Sequence, residues 1–307
     1  MAITVVGSVA FDTVETPSGR KERCLAGAAT YFSLAASFFT DVRIIAVVGD
    51  DFGPAEQAVF DAHKIDTTGI QHAPGKTFFW QGSYLDNLNE AKTLQTDLNV
   101  FAGFEPKIPD AYRDSQFLFL ANIDPILQHR VREATPNARL VAGDTMNYWI
   151  KDHKPALLEV LKGLDILLIN DTETRMLANN SNLVLAARAV MEMGPRMLVV
   201  KHGEYGATLF HKSVPGAQES RTFKTPAFPL EQVTDPTGAG DSFAGGFFGY
   251  LASQRDLTPG AFRRAMFYGS VMGSFTVERF GTERLQQLTR EEIDHRFQLF
   301  RELTHLD

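Results

Sequence analysis

The sequence predicts an α/β protein: a doubly wound, mostly parallel sheet with helices on both faces and a small β insertion. Three observations predict it. Short, mostly apolar runs recur along the 307 residues, and each ends in a turn or a small polar residue, as strands buried on both faces do. Helical patterns separate these runs, the order that builds a parallel sheet. Around residues 77–101 the pattern changes to a period of two, which belongs to strands.

Residues 3–7 form the first run, closed by Gly7-Ser8, and Asp12 lies in the loop beyond it. Ligands of open α/β sheets bind past the carboxyl ends of the strands, so Asp12 reads as a turn residue or as a ligand contact. Residues 25–31, Leu-Ala-Gly-Ala-Ala-Thr-Tyr, open a helix. Residues 43–48 make the second strand, 49–53 a turn, and Ala55, Val59 and Ala62 then recur at helical spacing. In 77–85, Phe78, Trp80 and Tyr84 alternate with Phe79, Gln81 and Ser83. A polar turn spans 86–90. In 93–101, Leu94, Leu98 and Val100 share a face opposite Gln95, Asp97 and Asn99. This insertion is either a lid over a ligand or an ordinary edge hairpin.

Strands resume at 115–120, 140–143, 166–169 and 197–200. Asp144 and Asn147 follow the second of these, as loop caps or ligand contacts. Asn170 and Glu173 start a helix with the spacing of a capping box. Lys201-His202-Gly203-Glu204-Tyr205-Gly206 follows the last strand. Gly203 and Gly206 permit close backbone approach to a ligand, and Lys201 either leans on phosphates or sits on the surface. Residues 261–278 form a long helix with Gly269, Ser270, Gly273 and Ser274, whose small side chains admit a flat base or close helix packing. Residues 291–303 close the chain as an amphipathic helix.

The chain is organised around D-P-T-G-A-G-D-S-F-A-G-G-F at 235–247. Gly238 and Gly240 bracket Ala239, so the backbone can turn tightly and present N–H groups. The small apolar run from 242 to 251 reads as a buried helix, which puts the loop at a helix N-terminus, a place that favours an anion. Asp241 stands at that same end. It is either a helix cap or a base that takes a proton from an attacking hydroxyl. Composition alone gives D-x-x-G-x-G-D about 0.003 chance matches in such a chain.

That block resembles the C-terminal signature of the PfkB/ribokinase family of small-molecule kinases. The resemblance implies a ribokinase-like fold over 1–307, with lid segments at about 12–24 and 76–105. It implies transfer of the ATP γ-phosphoryl to a hydroxyl of a small carbohydrate, with a nucleoside kinase of adenosine-kinase type as the alternative. A non-catalytic nucleotide- or sugar-binding protein is the alternative of another class, against which Asp241 speaks. In the resemblance Asp241 is the base, and Gly238, Ala239 and Gly240 form the anion hole. Asp12, Gly27 and Tyr31 face the substrate, and Lys201, Gly203, Gly206 and Gly273 the nucleotide. Asn170 and Glu173 support Mg²⁺ through water, while Asp235 and the Thr237 carbonyl are candidate K⁺ ligands. The family's first signature more often has Gly-Gly and then Asn; here Ala26 replaces the first Gly and Tyr31 stands where the Asn is sought. Tyr31 then stacks on a ring or merely packs. Pairing of two copies through the lid belongs to the same expectation.

A net charge of −7 without a Lys/Arg block excludes a nucleic-acid footprint. The single cysteine, Cys24, excludes an internal disulfide and reads as an ordinary apolar side chain. The first ten residues read as a strand and not a signal peptide, and the longest apolar run, 25–39, is too short and too polar to span a membrane. The expected location is the cytoplasm.

Overall fold

The structure, a computed structural model, describes residues 2–85, 87–212 and 222–304. In chain order the strands are β1 Ile3–Val6, β2 Ala10–Thr16, β3 Gly19–Ala26, β4 Val42–Val48, β5 Asp66–His72, β6 Phe78–Ser83 and β7 Lys92–Asp97. They continue with β8 Phe117–Leu120, β9 Leu140–Asp144, β10 Ile166–Asn170, β11 Met197–Lys201, β12 Ala207–His211 and β13 Thr222–Thr225.

Among the described residues nine strands form one sheet in the order β13-β12-β11-β10-β9-β8-β1-β4-β5. From β11 to β5 every neighbouring pair is parallel. Only the β11–β12 and β12–β13 pairs are antiparallel. The expected doubly wound architecture is therefore present, and its order reverses beside β1, where open sheets leave a crevice.

The apolar runs are explained by two cores. Side chains alternate across a strand. Phe117 and Phe119 of β8 enter one core, while Leu118 and Leu120 enter the other. Ile166 and Leu168 of β10 divide from Leu167 and Ile169 in the same way. Helices Ala28–Ser37, Ala239–Ser253 and Pro259–Thr276 cover the first face. Helices Pro125–Ala134, Lys154–Lys162 and Leu183–Glu192 cover the second. Phe119 stacks on Phe32 with ring centroids 4.1 Å apart. Full burial of such a side chain stabilises by about 1.5–3 kcal/mol.

A second sheet has the order β3-β2-β6-β7. It corrects four expectations. Asp12 is not in a loop: it lies in β2, paired with Cys24 of β3 and Trp80 of β6. The stretch 93–101 is not one strand, because β7 ends at Asp97 and a 3-10 turn, Asn99–Gly103, follows. In that turn Val100 and Phe101 pack on the core of the main sheet, so the small sheet ends short of residue 105. Leu25 and Ala26 finish β3, and the helix begins only at Ala28. Of the expected turn at 86–90, Asp86 lies outside the described residues. β5 escapes sequence reading because it is an edge strand whose residues alternate in neither period, with Thr68 and Gln71 among them.

Candidate functional site

The loop at 235–238 is held before it is chemical. Asp235 is buried, and its Oδ1 accepts the Thr237 N–H at 2.9 Å while its Oδ2 accepts the Gly281 N–H at 2.9 Å. The N–H groups of Thr234 and Asp235 both reach the Val277 carbonyl. The loop is thus tied to the segment after helix Pro259–Thr276. Gly238 then takes a φ of +75° and serves as N-cap of helix Ala239–Ser253. A Cβ at Gly238 would lie 2.4–2.5 Å from three ring atoms of Tyr31, so no other residue fits here without displacement.

Asp241 is not the cap. The cap is Gly238, without a side-chain hydrogen bond, and Asp241 lies in the helix's first turn with a partly exposed side chain. Of the three expected anion-hole donors, Ala239 gives its N–H to the Pro236 carbonyl at a long 3.3 Å. The first N–H groups of a helix, here including that of Gly240, have no intrahelical acceptor, a setting that favours an anion.

Three parallel strands end in polar side chains beside this loop, two of them charged. Lys201 ends β11, and its Nζ lies 2.9 Å from where a Cβ on Gly240 would stand. Asp144 ends β9, is buried, and its Oδ1 has no hydrogen-bond partner. Asn170 ends β10 and forms a reciprocal capping box with Glu173: Asn170 Oδ1 accepts the Glu173 N–H at 2.7 Å, and Glu173 Oε2 accepts the Asn170 N–H at 2.8 Å. Burial raises the Asp241 carboxyl above the usual carboxylate range, and the Lys201 ammonium pulls it back down. Burial likewise raises Asp144, with Asp241 adding to the rise, and raises Glu173; Lys201 opposes both. One ammonium therefore balances three carboxylates.

Asp12 enters from the small sheet. Burial is the largest cause that raises its carboxyl, followed by the charges of Asp235 and Asp241, which puts all three in one electrostatic neighbourhood. The register shifts between Asp12 and Val14, an irregularity of the kind that re-aims a side chain. Because Trp80 is its partner across the ladder, both side chains leave the same face, and the Trp80 indole lies along Gly82, 2.0 Å from a Cβ built there. Cys24, also a partner of Asp12, is buried, and its thiol is pushed up to about 12, chiefly by burial. It is inert.

Several of the glycines singled out in the sequence also pack closely against protein atoms. Gly27, φ +103°, lets the helix start press on the Ser8 carbonyl, 2.4 Å from its Cβ position. Gly206, φ +90°, abuts the Thr225 carbonyl, and Gly273 faces the Ala239 carbonyl at 3.2 Å. Gly203, φ +56°, meets the Asn89 side chain. Sequence reading missed Tyr84 as part of the site: the Thr237 hydroxyl donates to its Oη at 3.3 Å, and burial pushes the phenol up to about 12. It also read Asp51 as a plain turn residue. Its Oδ1 accepts the Thr77 N–H at 2.8 Å and the Thr77 hydroxyl at 2.7 Å, and Arg23 pairs with Oδ2 at 3.0 Å, which fastens the small sheet to the main one. Only the strand period of 77–85 hinted at either.

One test follows from the charges. As a base Asp241 would accept a proton only when ionised, so the rate would rise with pH through its pKa. Lys201→Met removes the group that lowers that pKa, and the acid limb of the kcat/KM profile should move to higher pH. An unmoved acid limb would mean that Lys201 and Asp241 do not interact during turnover.

Comparison with known proteins adds a family. Residues 5–288 match the model of the pfkB family carbohydrate kinases. A cytidine kinase of Thermococcus kodakarensis is 28% identical over 261 residues, covering 83% of this chain and 90% of that protein. A ribokinase of Haemophilus influenzae is 24% identical, covering 95% of this chain and 98% of that one. The crystal structure of aminoimidazole riboside kinase from Salmonella enterica, complexed with aminoimidazole riboside and an ATP analog, superposes with a TM-score of 0.77 at 17% identity, covering 97% of this chain and all of that one. Among the described residues no helix is long and apolar enough to cross a membrane.

Proposed function

The chain belongs to the pfkB family of carbohydrate kinases, phosphotransferases acting on hydroxyl groups of sugars and nucleosides, and within it we propose an ATP-dependent nucleoside kinase. The observation that carries the acceptor class is the pairing of Asp12 with Trp80 on one face of the small sheet. A carboxylate accepts from both hydroxyls of a ribose diol, and an indole beside it offers a face to a base. The likeness to a cytidine kinase over most of both chains supports the same reading.

In this reading Asp241 takes the proton of the attacking hydroxyl as the γ-phosphoryl transfers. The helix N-terminus at Gly238 and Gly240 receives the developing negative charge, and the Lys201 ammonium lies against the transferring phosphate. The turn Gly203–Tyr205 borders the nucleotide. The small sheet acts as a lid that excludes water, since water would otherwise compete as acceptor.

Mg²⁺ fits the donor set. Asp144 offers a buried carboxylate oxygen without a partner, and Glu173 and Asp241 stand nearby, an all-oxygen environment suited to a hard cation. Among the described residues no three acidic, His or Cys side chains close on one point as a metal cage, so the ion would be held largely through its waters and the nucleotide. Bound there, Mg²⁺ would neutralise charge on the phosphates. For K⁺ the candidate ligands are Asp235, whose two oxygens each accept one N–H that orders the loop, and the Thr237 carbonyl. No step depends on that ion.

The deciding experiment is a panel of cytidine, adenosine, inosine, ribose and fructose with MgATP. We expect a nucleoside to give the highest kcat/KM. A preference for a free sugar would replace the nucleoside reading with a sugar kinase, and no turnover on any acceptor would refute the kinase reading of this site.

A further inference from the structure

We infer that Tyr31 is a positioning residue for phosphoryl transfer: its ring is the floor on which the anion-binding loop rests. The inference rests on the function proposed above for that loop. Tyr31 is 1% exposed and sits in the first turns of helix Ala28–Ser37. Its Cγ, Cδ1 and Cδ2 occupy the space into which a side chain at Gly238 would grow. The glycine with the positive φ therefore lies flat on an aromatic face, immediately before Ala239 and Gly240.

The floor is rigid for a separate reason. Helix Ala28–Ser37 and helix Ala239–Ser253 touch nearly backbone to backbone. A Cβ on Gly245 would be 2.4 Å from the Phe32 carbonyl oxygen, and one on Gly249 would be 3.0 Å from the Ala36 Cα. Asp235 pins the loop on its upstream side. Between that pin and the helix contacts, the Tyr31 ring is what fills the space beneath Gly238. Without the ring the loop can sag, and displacement of the N–H groups by a fraction of an ångström to an ångström degrades catalysis far more than binding.

The hydroxyl is not part of this role. Tyr31 Oη is buried without a hydrogen-bond partner, although Asp235 and Asp12 are its principal charged neighbours. A buried hydroxyl of this kind gains nothing for the fold. Tyr31→Phe keeps the floor, and Tyr31→Leu removes it.

The test measures kcat, KM for the best acceptor of the panel and KM for ATP in both variants. Tyr31→Phe should stay within about twofold of the parent in kcat, with a melting temperature equal or higher. Tyr31→Leu should lose about tenfold or more in kcat while both KM values stay within about threefold. If Tyr31→Leu does not fold, Tyr31→Met, which fills similar length without a flat face, takes its place. A second readout is the gain in melting temperature with inorganic phosphate, which, unlike ATP, has only the loop to hold it: retained in Tyr31→Phe and reduced in Tyr31→Leu or Tyr31→Met. Loss of turnover in Tyr31→Phe would make the hydroxyl and not the ring the functional part. Full kcat in the aliphatic variants would overturn the floor. If the parent phosphorylates no acceptor of the panel, the functional reading fails, yet phosphate protection still decides whether the ring supports the loop.

Discussion

Asp241→Asn lowers turnover by about 10²–10⁴-fold and leaves nucleotide binding nearly intact. The substitution preserves shape, but an amide nitrogen cannot take a proton from the acceptor hydroxyl. The loop does not depend on this carboxylate. Asp235, the Val277 carbonyl and Gly238 hold it, and Asp241 is not the helix cap. Loss of activity without loss of structure is therefore the expected signature. The measurement is kcat with the best acceptor, together with a thermal shift by ATP. A variant turning over within about threefold of the parent would remove Asp241 from the chemistry.

Asp12→Ala lowers kcat/KM for the acceptor by about 10–150-fold, the equivalent of about 1.5–3 kcal/mol for hydrogen bonds to a charged group. KM for ATP changes by less than about twofold, because Asp12 belongs to the small sheet, whereas Lys201 ends β11 and Glu173 lies in the helix after β10. The fold should not suffer. The folded-state pKa of Asp12 is raised by burial and by Asp235 and Asp241. A carboxyl with a raised pKa favours the folded state at acid pH, and that advantage is lost as pH rises above its unfolded value. Above that unfolded value the buried carboxyl costs stability, so Asp12→Ala should melt at or above the parent temperature at neutral pH. A stability loss with unchanged acceptor kinetics would make Asp12 structural. A rise in KM for ATP alone would reverse the two halves of the cleft.

Part of this could be read from single residues. Strands such as β1, β8 and β10 are apolar on both faces because each face meets a helical layer, and that demand leaves a mark on every residue of the run. The loop at 235–241 is legible for a similar reason. Tight turning at Gly238, with its φ of +75°, needs glycine, and the proton abstraction proposed for Asp241 would need a carboxylate, so a local requirement writes a local pattern. The Asn170–Glu173 spacing is local too, and the capping box it predicts is present.

What depended on strand pairing left no such mark. Asp12 reads as a loop residue because its strand exists only when β3 and β6 come alongside it, and β6 is more than sixty residues away. Leu94 and Leu98 alternate like a buried face yet are about half exposed: Leu94 lies in β7, the edge of the small sheet, and Leu98 just beyond its end. Tyr31 could be read as a stacking or a packing residue. Only the approach of two helices through Gly245 and Gly249 sets its ring under Gly238. The single Lys201 that balances Asp144, Glu173 and Asp241 comes from a fourth element, and no spacing in the sequence could state that balance. Chemistry confined to one turn is written in that turn, whereas chemistry assembled from several strand ends is decided by the order in which the strands pair.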